Sequence, residues 1–119
     1  WKGASGHAGT FGSSRALTKL CQFYMNTDRP NFLRAMETDI CGRGLGFDRS
    51  DVYPEGCGHS GFTGTSIWFS RGFDIGAVIL TNKYYRPEGG PVANSNEFRR
   101  AVHYALLAAR GCPGTTIEM

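Results

Sequence analysis

Leu17, Leu20, Cys21 and Tyr24 recur at i, i+3, i+4 and i+7, which puts them on one helical face with Arg15, Lys19 and Gln22 outside it. Ser13 or Ser14 supplies the side-chain oxygen that such a helix needs at its start. A second helix is predicted from Asp28 as cap and Pro30 in the first turn, through Phe32, Leu33, Met36 and Ile40, until Gly42 ends it. The period then changes. Gly42, Gly44 and Gly46 lead into a short strand around Leu45 and Phe47, followed by a polar turn through Asp51, Pro54 and Gly56. Residues 62–69 carry Thr63, Thr65, Ile67 and Phe69 on one parity and Phe62, Ser66 and Trp68 on the other, with Gly64 marking a kink or tight turn. The connection Ser70-Arg71-Gly72 has hairpin length. Beyond it, Ile75, Ala77, Val78, Ile79 and Leu80 form a nearly continuous apolar run in residues 73–81, which predicts a strand covered on both faces and central in its sheet. After a loop rich in proline and glycine, Asn94 and Glu97 have capping-box spacing and open a last helix. Its predicted apolar face is Phe98, Val102, Ala105, Leu106 and Ala109, its wet side Arg99, Arg100 and His103, and its stop Gly111 and Pro113. The expected fold class is α/β of the α+β type: a helix pair, a small antiparallel sheet, and a C-terminal helix packed on it, in one domain over residues 1–119.

Composition narrows the function classes. The formal charge of +3 is spread through the chain with no basic run longer than a pair, so no nucleic-acid partner is expected. No apolar stretch reaches bilayer length, and no transmembrane segment is expected. The chain opens on Trp1, in sequence that reads as the middle of a domain, so a targeting signal would lie upstream. Cys21, Cys41, Cys57 and Cys112 contain no C-x-x-C pair, and Cys57 with His59 forms only an isolated C-x-H, so neither a metal site nor a cofactor is expected. A Cys41–Cys57 bridge would be open to the chain if their segments paired as neighbouring strands.

Several short patterns invite sharper readings and fail in context. Ser60 between Gly58 and Gly61 lacks the glycine at position 62 and the following helix that a nucleophile elbow requires. Residues 56–61 satisfy G-x-G-x-x-G but follow a turn and precede strand-like sequence, the wrong setting for dinucleotide binding. Asp48, Asp51 and Glu55 read as a solvated turn, and His7 and His103 as a loop histidine and an exposed helix histidine.

Gly58-His59-Ser60-Gly61-Phe62-Thr63-Gly64-Thr65-Ser66-Ile67-Trp68-Phe69, then residues 75–82 and the terminal helix, resemble the closing third of the class C β-lactamase-related serine hydrolases, which include penicillin-binding proteins and esterases. Residues 5–14 resemble the glycine-rich segment of that family, and Gly44-Leu45-Gly46-Phe47 its short strand. The resemblance implies a partial β-lactamase-like transpeptidase fold. His59-Ser60-Gly61 would be the H-x-G motif, with these three residues contacting substrate and the backbone N–H of Phe62 acting catalytically as an oxyanion donor. It further implies a small ester, amide or peptide substrate, a periplasmic or extracytoplasmic location, and a need for the upstream half of the same domain. The S-x-x-K motif that carries the nucleophile is absent, since none of Lys2, Lys19 and Lys83 has a serine three residues before it. Tyr24-Met25-Asn26 spells Y-x-N, but on an amphipathic helix where Tyr24 reads as core. The expected function is therefore a C-terminal fragment of a serine acyl hydrolase, and the alternative is a non-catalytic binding module derived from the same fold.

Overall fold

The structure, a computed structural model, describes residues 3, 10–85, 87–91 and 94–111. The expectations for residues 5–9, His7, Cys112 and Pro113 lie outside these residues. In chain order the elements are α1 (Ser14–Asn26), α2 (Pro30–Glu37), β1 (Cys57–Ser60), β2 (Ser66–Ser70), β3 (Ile75–Ile79) and α3 (Ser95–Ala109). The three strands form an antiparallel sheet in the order β1-β2-β3, so the class is α+β as the sequence pattern predicts.

Local chemistry accounts for the helix starts. The Ser13 hydroxyl accepts the Ala16 N–H at 3.1 Å, and the Asn94 side chain accepts the Asn96 N–H at 2.9 Å, each satisfying a donor that a first helical turn leaves free. At α2 the cap position is Arg29 rather than Asp28 and makes no side-chain cap bond; Pro30 sets the first turn by its fixed φ. This helix ends at Glu37, before Ile40, which is exposed. Arg49 donates to the Met36 carbonyl and so satisfies one end of that helix.

Each face of the sheet is covered. On one, Cys57 and Phe69 join Cys21 and Met36 in a buried cluster, flanked by Tyr24, Phe32, Phe47 and Val78. Tyr24 stacks on Phe69 at 5.5 Å and meets Phe32 and Phe47 edge-on, so it is a core residue. On the other face Trp68 and Leu107 pack with Val52 and Tyr53, flanked by Ile75 and Ala77. The parity of the strands makes the division: Trp68 pairs with Ala77, while Phe69 and Ile67 point the opposite way with Val78.

Four expectations need correction. The predicted strand at residues 73–81 is an edge strand, not the central one, and all of Ile75–Ile79 is only half-buried; the centre is β2. A near-continuous apolar run reports two covered faces, and says nothing of whether another strand lies alongside. The strand expected around Leu45 and Phe47 shrinks to single bridge pairs, Arg43 with Asp48 and Asp48 with Gly58. Residues 61–65 form the β1–β2 loop, so Phe62 lies in a turn and β2 begins at Ser66. Cys41 and Cys57 are not bridged to each other, and both are free among the described residues: Cys57 points into the core beside Phe69 while Cys41 is exposed in a turn at φ 53°. Burial pushes the Cys21 and Cys57 thiols up to about 11, which keeps them protonated and inert.

The largest departure concerns α3. Its buried residues are Arg99, His103 and Leu107, at i, i+4 and i+8, while Phe98 is 56% exposed. The helix is thus rotated from its apolar stripe, and two residues assigned to the wet side face the sheet. His103 stacks on Trp68 at 4.5 Å, and its Nδ1 lies 2.7 Å from the Val52 carbonyl, so Nδ1 carries the proton and donates it. Its Nε2 is buried and has no partner among the described residues.

Burial, reinforced by the Arg99 charge and partly offset by the Val52 bond, holds the His103 imidazole below the ordinary histidine range. The unfolded chain then takes up a proton near the ordinary value of about 6.5, and the folded chain only at lower pH. The stabilisation from neutral His103 is complete above that value and is lost as pH falls through it, by at most about 1.4 kcal/mol per pH unit, until the folded pKa is reached. Urea midpoints measured from about pH 8 down to pH 5 should therefore fall more steeply for this chain than for His103→Gln, which keeps a donor but does not titrate. Parallel curves for the two proteins would refute a buried neutral histidine.

Candidate functional site

In an antiparallel strand successive residues turn their N–H and C=O to opposite edges. Cys57 and His59 pair inward with Phe69 and Ile67 of β2, and the Gly61 N–H continues that side by donating to the Thr65 carbonyl at 2.7 Å. Gly58 therefore faces outward, where its N–H and C=O bond to Asp48 at 3.0 and 2.7 Å. That one bridge covers the outer edge of β1 at Gly58 and leaves Ser60, the next outward residue, uncovered. Phe62 follows in the turn: the Gly61 carbonyl points in to accept from the Gly64 N–H, so the Phe62 N–H at the other end of that peptide points outward, and it finds no acceptor among the described residues.

His59 and Ser60 are both exposed, and the His59 Nδ1 lies 2.9 Å from the Ser60 carbonyl, which holds the imidazole along the strand edge. The structure thus brings His59, Ser60, Gly61 and the Phe62 N–H together on one exposed edge. Among the described residues no histidine or lysine is bonded to the Ser60 hydroxyl, so none of them activates it as a nucleophile.

The loop that carries Phe62 is tightly tied. The Gly64 N–H donates to the Gly61 carbonyl at 3.2 Å, with Gly64 at φ 101°, a conformation that favours glycine. Thr63 offers its carbonyl to the Thr81 hydroxyl at 3.1 Å and to the Lys83 N–H at 2.9 Å, which clamps the loop against the chain leaving β3. The Phe62 ring, 79% exposed, stacks on Tyr84 at 4.6 Å and 11°. Beneath the loop, Arg99 donates to the Thr65 carbonyl at 3.1 Å and reaches the Gly61 carbonyl at 3.5 Å.

Tyr53 lies under Gly58, its ring filling the space a side chain there would need. Burial pushes the Tyr53 phenol up, opposed by the approach of the Ser60 hydroxyl and the charge of Arg99. That phenol oxygen makes no hydrogen bond among the described residues.

The remaining chemical patterns disperse. Asp51 forms a two-pronged pair with Arg100, at 3.2 Å to each oxygen, and Asp48 lies 3.6 Å from Arg43, so the acidic turn residues face different partners. The glycines of the G-x-G-x-x-G pattern serve close packing: Gly56 lies against the Phe69 carbonyl, Gly58 against Ile67 and Tyr53, and Gly61 against Thr65. Cys57 is buried and His59 exposed, which separates the C-x-H pair. Among the described residues no three histidine, cysteine or acidic side chains converge, and no helix is long and apolar enough to cross a membrane.

The polar residues that reading by apolar period missed are Arg99 and His103, together with Tyr53. The stripe Arg99, His103, Leu106, Leu107 has helical spacing and would have placed the first two inside had polar members been admitted to it. Comparison with protein-family profiles, with curated proteins and with solved structures returned no match.

Proposed function

We propose that this chain is the C-terminal portion of a serine acyl hydrolase resembling the class C β-lactamase, penicillin-binding-protein and esterase group, with His59, Ser60 and Gly61 lining the cleft and the Phe62 N–H donating to the oxyanion. The observation that carries this reading is the outward N–H of Phe62 beyond the end of β1, directly after His59-Ser60-Gly61 and without an acceptor among the described residues. Attack on an ester or amide carbonyl moves charge onto its oxygen, and a fixed donor outside the sheet stabilises that charge without reorganising. Gly61 lets the acyl group come close to the strand, and the His59 imidazole offers a polar contact beside it. Histidine in place of lysine favours an ester or peptide over a β-lactam bearing a carboxylate. The outer edge of β3, which no strand pairs among the described residues, further supports the reading, since strands contributed from upstream would add there.

The nucleophile is assigned to sequence upstream of Trp1, because these 119 residues hold no S-x-x-K. Two observations test the proposal. The gene should encode S-x-x-K upstream and in frame, and a coding sequence that begins near Trp1 would overturn it. The isolated chain, treated with a fluorophosphonate and separately with a penicillin, should show no mass adduct, whereas a stoichiometric adduct on Ser60 would mean that it carries its own nucleophile.

A non-catalytic binding module on the same scaffold is the second reading. The coverage of both sheet faces favours it, because a chain with its own core on each side needs no upstream half to fold. The upstream gene sequence separates the two readings directly.

A further inference from the structure

Arg99 is a buried cation, 5% exposed, and no carboxylate pairs with it among the described residues. Burying a charge without a counter-ion is costly unless hydrogen bonds replace its water. Three acceptors do so in part, the Asn96 side chain at 2.8 Å, the Thr65 carbonyl at 3.1 Å and the Gly61 carbonyl at 3.5 Å, while the Arg99 Nε has no partner among the described residues. The two carbonyls belong to the loop that presents Phe62, and they are the same two that close it through the Gly61 and Gly64 N–H groups.

The Gly61 carbonyl and the Phe62 N–H are the two ends of one peptide group. In a planar trans peptide they point in opposite directions, so a donor that holds the oxygen inward aims the N–H outward. Withdrawing electrons from the oxygen also makes the N–H at the other end a stronger donor, since hydrogen bonds in series polarise one another. We infer that Arg99 is a positioning residue, its guanidinium both aiming and polarising the Phe62 N–H through the Gly61 carbonyl. This rests on the reading of that N–H as the oxyanion donor. It gives the buried charge a use: the guanidinium lies behind the peptide that faces the developing negative charge, where it strengthens a donor it does not replace.

The test is amide hydrogen exchange at Phe62 in the whole chain, followed by NMR. An unprotected N–H exchanges by loss of its proton to hydroxide, so a nearby positive charge and a polarised carbonyl speed the reaction. Arg99→Met should slow Phe62 exchange about tenfold, the effect of removing one elementary charge several ångströms away in a partly screened setting. Arg99→Lys, which keeps the charge and a donor, should restore most of the rate. Loss of a merely structural tie would act in the opposite sense, loosening the loop and speeding exchange at Gly61 and Gly64. An unchanged or faster Phe62 rate in folded Arg99→Met overturns the inference. Should that variant fail to fold, the wild-type rate decides: Phe62 should exchange about tenfold faster in the chain than in a free peptide of residues 58–66, and an equal or slower rate overturns it. None of these rates depends on an upstream nucleophile, so this inference and the hydrolase reading fail separately.

Discussion

Trp68→Ala is expected to remove about 3–5 kcal/mol of stability, the largest effect of any single side-chain truncation in this chain. Trp68 is fully buried at the centre of the middle strand. Its indole Nε1 donates to the Pro54 carbonyl at 3.1 Å, and its ring stacks on His103. Truncation opens a cavity between the sheet and α3, removes the stack, and strands a buried carbonyl. Domains of this size are stable by about 5–15 kcal/mol, so the variant should be near its unfolding midpoint without denaturant. Urea unfolding followed by far-ultraviolet circular dichroism measures the difference. Trp68→Phe, which keeps a ring against His103 but loses the donor, should fall between the two. A loss below about 1 kcal/mol, the range of ordinary surface changes, would show that α3 does not pack on the sheet through this residue.

Gly58→Ala is expected to cost at least about 1–3 kcal/mol through overpacking, although it adds only one methyl group. A Cβ at Gly58 would lie 2.1 Å from the Ile67 carbonyl oxygen and 2.5 Å from the Tyr53 ring. The first contact is with backbone, so relief requires β1 to move from β2 or lose its register. Moving β1 also breaks the Asp48 bridge and displaces His59, Ser60 and Gly61. Gly72→Ala provides the control, because among the described residues nothing lies within 4 Å of the added atom, and the change should stay within about 0.5 kcal/mol. Comparable losses for the two variants, read from the same urea curves, would rule out a close approach at Gly58.

The helix starts at Ser13 and Asn94, the hairpin between the second and third strands, and the core role of Tyr24 were legible because each rests on neighbours in sequence. A capping oxygen, a turn of fixed length and a stripe at helical period are local devices. The candidate edge was legible in part. His59, Ser60, Gly61 and Phe62 are contiguous, so they come together whatever the rest of the chain does. Alternation places Phe62 in a strand over residues 62–69, whereas it lies in a turn, because the Gly61–Thr65 hydrogen bond closes a loop there and β2 starts only at Ser66.

By itself the sequence determined the class, the helix pair, the last helix and the hairpin of β2 and β3, since hydrophobic period and turn chemistry act over a few residues at a time. Only the tertiary structure decided which strand is central, which face of α3 is buried, and where Arg99 and His103 go. Those outcomes depend on partners 34 to 51 residues away in the chain: the Thr65 and Gly61 carbonyls for Arg99 and the Val52 carbonyl for His103. A polarity pattern assigns charged and polar side chains to water because burying them alone is costly. It has no means of registering that a distant backbone, once folded, supplies the acceptors that make burial affordable.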